Sequence, residues 1–527
     1  MSKLTVNLEA LAHAINLALP AAALLSGLLG YTVSFYFHFL TVTLLLLTAI
    51  NLSYLYGQKR HTLLANFGVL AQGRYMLESV GPELRQYLFA SDSEERPFSR
   101  NERAEVYQKA LGVDSASSFG TQLDYTEPLK LAHSMFPIGK DEVERFTLTF
   151  GEERGLARAY TITSPIIISG MSFGALGERA VRALSRGARY AHIPMNTGEG
   201  GYPKYHLAEG ADLIFQLGTA KFGVRNDDGT LNDDKLRALC AHPQIKMLEL
   251  KLSQGAKPGK GGILPKEKIT PEIVELRGVT PGRDVISPPS HPECRTPADA
   301  VAFIGHLQEV SGLPVGIKLC VGRLEELRAL AQEMKRQDRY PDFITIDGAE
   351  GGTGAAPKSF MDEVGMPLRR ALPLAHITFS DEGVRHKFKL LASGKLISPG
   401  RQIQALALGA DAVCSARGFM LAIGCIQALQ CNKNSCPVGI TTHSPHLQRG
   451  LDVELKARRV ESYAKSLVKE HMELLAATGR RRWSELCAED LIDLAGDEPL
   501  PGCAPARAPA PAHDHAHDHA HDHGAAQ

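Results

Sequence analysis

An α/β chain built on a closed (β/α)8 barrel is predicted by three observations. Eight short, near-continuous apolar runs fall between residues 165 and 416, separated by longer helical stretches. Polar and glycine-rich residues crowd just after those runs. A charge-free N-terminal stretch adds a transmembrane helical hairpin, joined to the barrel by a helical connector. Strands buried on both faces read as unbroken apolar runs, and eight strand–helix units in about 260 residues suit closure. A doubly wound sheet shows fewer strands and a switch point.

From the N-terminus, residues 11–56 contain no Lys, Arg, Asp or Glu, a run of 46 residues. One spanning helix takes about 20 apolar residues, so two spans fit, near 11–30 and 35–56, with a turn around 30–34. Tyr31, Tyr36, Tyr54 and Tyr56 suit the interfaces. Lys3 precedes the stretch and Lys59, Arg60 and His61 follow it. Basic flanks at both ends place both ends in the cytoplasm. One long tilted span is the rival. Residues 1–60 are thus a multi-pass cell-membrane anchor, with the catalytic body cytoplasmic. Residues 61–160 carry helix formers with charged faces and read as the connector.

The barrel occupies 161–480. Its strand runs are PIIISG (165–170), HIPMN (192–196), DLIFQLG (212–218), KMLELKLS (246–253), VGIKLC (315–320), DFITID (342–347), KLLASG (389–394) and DAVCSA (411–416). Residues 481–527 form a tail with HDHAHDHAHDHG at 513–524, whose six histidines read as a disordered low-complexity segment with incidental metal affinity. Formal charge is zero, from 58 basic and 58 acidic residues, so no basic face points to nucleic acid. Nine cysteines in so long a chain do not make a secreted disulfide framework.

Three of those cysteines, Cys425, Cys431 and Cys436, sit in GCIQALQCNKNSCPVGI. Thiolates favour Fe–S clusters and zinc. Three nearby ligands suit a three-iron cluster, against the alternative of unrelated buried thiols.

Active sites of such barrels lie at the C-terminal strand ends. Gly394 and Lys395 follow the seventh run, and Arg417 and Gly418 the eighth. Backbone N–H groups freed by glycine, with a cation beside them, suit a flavin phosphate there. Lys318 lies inside the fifth run. A buried ammonium needs a partner, which the electron-rich edge of a flavin or a structural ion pair would supply. The loop 347–354 carries four glycines, Gly351 and Gly352 among them, and lets backbone approach a ring closely.

The runs SGMSFGALG, NTGEGG, LKLSQGAKPGKGG, VISPPSH, IKL, DGAEGGTGA and GCIQALQCNKNSCPVGI resemble the FMN-binding synthase domain of glutamate synthase. The chain is most similar to the membrane-anchored FMN-binding glutamate synthase family. The resemblance covers about residues 165–445. It implies FMN and a [3Fe–4S] cluster on Cys425, Cys431 and Cys436. It also implies condensation of ammonia with 2-oxoglutarate and reduction of the imine by hydride from FMN. Lys257 and Arg277 match basic residues around the keto acid, and Gln254 and Glu199 match polar pocket residues. Glu199 would handle protons during imine formation. Ser172 matches a flavin-side residue, and Lys318 would act beside the flavin.

The chain departs from the family in two places. It opens Met1-Ser2 where glutamate synthase has a glutaminase domain with an N-terminal cysteine, so ammonia or an amine is expected from outside. Ile263, in GGILP, stands where the family has glutamine, which removes an amide from the keto-acid pocket. No GxGxxG motif follows a strand, so NAD(P)H would act through an electron-donor protein or reductase subunit. The oligomeric state, homo-oligomer included, stays open. The expected activity is oxidoreduction of the glutamate synthase type, acting on CH–NH2 donors. The rivals are an N-methylglutamate synthase-type reaction, a membrane-bound FMN/Fe–S electron-transfer module without glutamate chemistry, and a catalytically silent scaffold.

Overall fold

A computed structural model describes residues 8–58, 60–113, 116–121 and 129–494. The histidine run of the tail lies outside the described residues. The chain divides into two compact units, Met1–Asn101 and Glu102–Gln527.

In the first unit α1 (Leu8–Thr32) and α2 (Phe37–Leu52) form a hairpin, and a π turn over Ser53–Gly57 extends α2. Ser26 Oγ donates to the Phe37 carbonyl at 2.9 Å, and Asn51 Nδ2 to Asn16 Oδ1 at 2.8 Å. Those pairings run in opposite directions along the two helices, which are therefore antiparallel. Small or polar side chains, Ala12, Ala23, Ser26 and Asn51, are buried, while Leu24 is 77 % and Leu46 60 % exposed. Ala10–Thr32 and Phe37–Gly57 are long and apolar enough to cross a membrane. Helices α3 (Thr62–Phe67) and α4 (Val69–Leu84) follow.

A fifth helix, α5 (Arg100–Leu111), runs into the second unit. Beyond it the helical expectation for 61–160 gives way to strands. Leu148–Phe150 pairs antiparallel with Tyr160–Ile162, and Leu129–Leu131 with Leu491–Asp493. The β-branched and aromatic content of LTF and YTI explains the difference, since it favours a pleated surface over a helix.

The barrel is closed and parallel throughout. Its strands are β1 (Ile166–Ile168), β2 (Met195–Asn196), β3 (Leu213–Leu217), β4 (Ile245–Lys251), β5 (Val315–Leu319), β6 (Phe343–Asp347), β7 (Lys389–Ser393) and β8 (Ala412–Ser415). Each pairs with its sequence neighbour, and β8 closes on β1 through Val413–Ile166. Seven lie within the predicted runs, and β4 begins one residue before its run, at Ile245. Two outer helices, α6 (Glu178–Ala191) and α7 (Val453–Ala477), pack on each other.

The barrel interior is layered. At its N-terminal end Ile167, Ile214, Met247, Phe343 and Leu391 meet Phe150 and Ile162 of the preceding hairpin in one apolar cluster. This seals the floor. Above it Glu249 is buried and accepts from Asn196 Nδ2 at 2.8 Å, Gln216 Nε2 at 2.7 Å and Thr345 Oγ1 at 2.9 Å. Above that layer the strand ends carry lysines, serines and Asp347. An apolar floor and a polar mouth place the chemistry at the C-terminal end of the strands.

Candidate active site

Side chains at the ends of β4 and β5 and on the loops after β1, β2 and β4 converge at the mouth. Alternation along β4 turns Glu249 and Lys251 to the same side. Lys251 Nζ donates to Glu199 Oε1 at 2.6 Å and to Gln254 Oε1 at 3.0 Å. Gln254 Nε2 in turn donates to the Gly352 carbonyl at 2.8 Å, which ties the β4 loop to the glycine-rich loop after β6.

Glu199 is held in the turn after β2. Gly198 has φ +64°, and a Cβ there would lie 2.7 Å from the Ser172 amide nitrogen. Only glycine lets this turn approach the loop that carries Ser172. Asn196 accepts from the Gly198 N–H at 2.9 Å while donating to Glu249, so the polar layer below sets the turn above.

The charges around Glu199 are mixed in a way that favours anions. Burial pushes its carboxyl up, but Lys251, Lys257 and Arg277 together hold it below the ordinary carboxylate value. Burial and repulsion from Lys251 bring Lys257 down to about 8, opposed by Glu199. Burial brings Arg277 down to about 10, again opposed by Glu199. Lys257 Nζ donates to the Ala355 carbonyl at 2.9 Å, and Arg277 Nη2 to the Phe173 carbonyl at 2.9 Å. Arg277 Nε is buried with no partner among the described residues. Three cations against one carboxylate leave the pocket with capacity for a further anion.

Lys318 on β5 lies 3.6 Å from Asp347. Burial opposes its charge, yet Asp347 and Glu249 outweigh burial and raise its pKa. Asp347 Oδ2 also accepts the Gly255 N–H at 2.8 Å, fixing the loop that carries Gln254 and Lys257. Lys318 is thus part of an ion pair inside the barrel mouth.

The loops after β6, β7 and β8 meet on the other side. Arg417 Nη2 donates to the Glu350 carbonyl at 2.5 Å, and a Cβ on Gly352 would lie 2.9 Å from Arg417 Nε. Gly351 donates its N–H to the Gly348 carbonyl at 2.8 Å. Gly394 (φ +142°) and Lys395 (φ +54°) turn sharply after β7. A cleft of about 500 Å³ opens there, lined in part by Glu350, Gly394, Lys395, Ser398 and Arg401. Gly418 has a plainer explanation, because a Cβ would lie 2.5 Å from Tyr463 Oη of α7. Ser415 Oγ, at the end of β8, is buried with no partner among the described residues. An orphan hydroxyl at the end of β8, a cation and a tight turn at the end of β7 fit a phosphate-bearing cofactor such as FMN.

The three thiols lie on a loop with left-handed turns at Gln427, Leu429 and Asn434. Burial pushes the Cys425 thiol up to about 12, with Cys431 and Cys436 adding to it, so the three sense one another. Burial also raises Cys431. Burial opposes ionisation of Cys436 as well, but N–H and hydroxyl donors of Thr441 and its neighbours outweigh it and lower that thiol. Among the described residues no three donors are close enough to share a single metal ion. The three thiols are neighbours on one loop, and thiolates are the ligand type that Fe–S clusters take.

Five residues of these sites escaped the sequence reading. Lys251 and Glu249 were hidden inside an apolar run, although their spacing of two on one strand was a usable signal. His291 Nε2 donates to the Lys251 carbonyl at 2.9 Å. Lys268 is buried beside the cluster loop and donates to the Cys431 carbonyl at 3.2 Å. Tyr107 Oη donates to the Cys425 carbonyl at 2.6 Å. His291 ends the run VISPPSH, which the family resemblance already marks, whereas no local pattern marks Lys268 or Tyr107.

The family model described as a conserved region in glutamate synthase matches residues 106–481. The glutamate synthase large subunit-like protein YerD of Bacillus subtilis (strain 168) is 40 % identical over 461 residues, which are 80 % of this chain and 88 % of that protein. An archaeal glutamate synthase [NADPH] from Methanocaldococcus jannaschii is 35 % identical over 318 residues, 60 % of this chain and 59 % of the relative. The chain therefore spans well under two thirds of that relative. Among solved structures, a mutant flavocytochrome b2 with benzoylformate aligns with a TM-score of 0.44 at 14 % identity, covering 75 % of this chain and 79 % of the other. That likeness is too loose to carry a functional argument.

Proposed function

The chain belongs to the glutamate synthase family, and on that basis we propose that it is an FMN-dependent oxidoreductase that reductively aminates a 2-oxo acid. The observation that carries this reading is Glu199, a buried carboxylate among Lys251, Lys257 and Arg277. The cations bind the carboxylate of the oxo acid and polarise its carbonyl. Glu199 accepts a proton from the incoming ammonia or amine and returns one to the departing water. Gln254, gripped by Lys251 and the Gly352 carbonyl, positions the substrate against the glycine-rich loop. Bound FMN would supply the hydride that reduces the imine. Ser172, Lys318, the Gly351–Gly352 turn, Gly394, Lys395 and Arg417 are the residues assigned to hold it, while Gly418 is accounted for by its packing on Tyr463.

Cys425, Cys431 and Cys436 are assigned to a [3Fe–4S] cluster that would pass single electrons, with a donor protein or reductase subunit as their source. The N-terminal hairpin is assigned to the cell membrane, with the barrel on the cytoplasmic side. Its support is the 46-residue charge-free stretch and the leucines exposed along both helices.

The test uses the full chain in detergent, purified without oxygen and photoreduced. Flavin absorbance near ~450 nm, typical of oxidised flavin, is followed on adding 2-oxoglutarate with ammonia or methylamine. Fast reoxidation that needs both substrates supports reductive amination and identifies the nitrogen donor. A flavin that stays reduced moves the assignment to an electron-transfer module. That second reading is favoured by Ile263, which supplies no amide beside Gly262 and Glu199.

A further inference from the structure

We propose that α4 and the π turn that continues it, Arg85–Phe89, form an amphipathic helix that lies in the membrane interface with its apolar face against lipid. The inference rests on the assignment of the hairpin to the membrane.

At 100° per residue, Met76, Leu77, Val80 and Leu84 of α4 fall on one stripe about 100° wide, and the wider turn of 85–89 carries Tyr87 and Leu88 along the same stripe. Arg74, Glu78 and Arg85 fall on the opposite side, where Arg74 and Glu78 pair at 2.7 Å. The apolar stripe is exposed, with Leu77 60 % and Leu88 68 % accessible. Six large apolar side chains in water along some 20 residues would be a costly arrangement. A striped helix of this kind is what binds a bilayer surface.

Where the helix starts is set by Asn51. The Val69 N–H donates to Asn51 Oδ1 at 2.7 Å, while Asn51 Nδ2 donates to Asn16 of α1. Asn51 is buried and sits in the last turn of α2. Gly68, with φ +57°, makes the bend, and a Cβ there would overlap the Asn51 amide. The first residue of α4 is therefore tied to the last third of the second candidate span, six residues before its end at Gly57. If that span crosses a bilayer, α4 begins about 9 Å short of the span's end, a depth that an interfacial helix occupies. One lipid environment then covers the leucines of the hairpin and the stripe of α4 alike.

The chain has one tryptophan, Trp483, far along in the second unit. In a Trp483→Phe background, Leu88→Trp or Glu78→Trp places a single indole on the apolar or the polar side. The full-length variants are reconstituted in phosphatidylcholine vesicles with and without lipid brominated high on the acyl chain. The indole at position 88 is expected to emit at shorter wavelength and lose at least half its intensity to bromine. The indole at position 78 should show neither change. If Trp483→Phe fails to fold, the spectrum of Leu88→Trp minus that of the parent chain reads the same quantity.

An unquenched, water-like indole at 88 in protein that resists an alkaline carbonate wash would overturn the inference and leave the spans intact. A blue-shifted but unquenched indole would overturn it in favour of a protein partner, such as a second copy. Release of the whole protein by carbonate would overturn the span assignment, and this inference with it.

Discussion

Lys251 Nζ and Glu199 Oε1 lie 2.6 Å apart at the barrel mouth, at 11 % and 20 % side-chain exposure. The pair joins the end of β4 to the turn after β2, the two elements that flank the pocket. A contact this short is a charge-assisted hydrogen bond, strengthened where water is scarce and offsetting the cost of taking both ions out of it. It also leaves Glu199 ionised in a place where burial alone would neutralise it.

Lys251→Met should therefore change the pH dependence as well as the rate. With Lys251 gone, burial of Glu199 is opposed only by Lys257 and Arg277, so its carboxyl titrates at higher pH. The acid limb of flavin reoxidation should move towards neutrality, and the limiting rate should fall by about 10²-fold. Stopped-flow reoxidation across pH measures both. An unmoved acid limb with a lowered rate would mean that Glu199 is not the proton-handling group.

The cluster assignment makes a separable prediction. Cys436→Ser removes the thiol that its Thr441 donors ionise most readily. Iron per chain and the cluster's EPR signal should collapse, while the flavin absorbance persists, because the flavin loops belong to β6, β7 and β8. Full iron content in the variant would remove Cys436 from the ligand set.

Glu249 should be a stability residue with an effect on the site. It accepts three hydrogen bonds from three other strands. Glu249→Gln removes the charge from three charge-assisted hydrogen bonds and turns one acceptor oxygen into a donor, which must face either two side-chain amides or the Thr345 hydroxyl. The expected loss is about 3 kcal/mol, read by thermal unfolding. The turn carrying Glu199 should loosen too, because Asn196 holds the Gly198 N–H, so KM for the oxo acid should rise. Unchanged KM in a destabilised variant would confine Glu249 to a structural role.

The fold was legible because strands buried on both faces leave unbroken apolar runs. PIIISG and DFITID need no context to be read. The site was legible in part. Glu199, Gln254 and Lys257 stand in glycine-rich loops, where polar residues have no packing role to explain them, and Arg277 ends the short helix Pro271–Arg277. Lys251 and Glu249 were obscured because a strand's polar residues look like interruptions until the closed barrel turns them inward. Tyr107 and Lys268 come from elements 318 and 163 residues away from the carbonyls they bind, a separation no local pattern encodes. The strands of 129–162 were misread because charged, helix-favouring neighbours outnumber three-residue runs.

His471 gives the stability of the second unit an acid dependence. It is fully buried in α7, and neither ring nitrogen has a partner among the described residues. Burial, with Lys109 adding repulsion, brings it down to about 3 from an ordinary 6.5. Above pH 6.5 the ring is neutral folded and unfolded alike, and it adds no pH dependence. Below that the unfolded chain takes up a proton that the folded chain refuses. Stability should thus fall with pH from about 6.5 towards 3, by up to roughly 1.4 kcal/mol per pH unit from this group. His471→Leu should flatten the decline in Tm between pH 7 and 5. An identical decline would place the acid sensitivity elsewhere, with His206 and His443, both brought to about 4 by burial, next to be tested.

Ile263 offers the sharpest test of substrate choice. It lies half-buried in the short strand Ile263–Leu264, directly after Gly262, where a Cβ would sit 2.8 Å from Glu199 Oε1. The residue after that contact borders the pocket that Lys251, Lys257 and Arg277 make cationic. An isoleucine there offers no hydrogen bond to a second carboxylate, whereas a glutamine amide offers two donors. One hydrogen bond to a charged group is worth about 1.5–3 kcal/mol. Ile263→Gln should therefore speed reoxidation by 2-oxoglutarate with ammonia by at least about tenfold at subsaturating oxo acid. Shorter oxo acids that lack the distal carboxylate should gain nothing. Equal gains for both would mean that position 263 acts through loop packing. No gain for either would separate this pocket from 2-oxoglutarate and direct the search to other anionic electron acceptors.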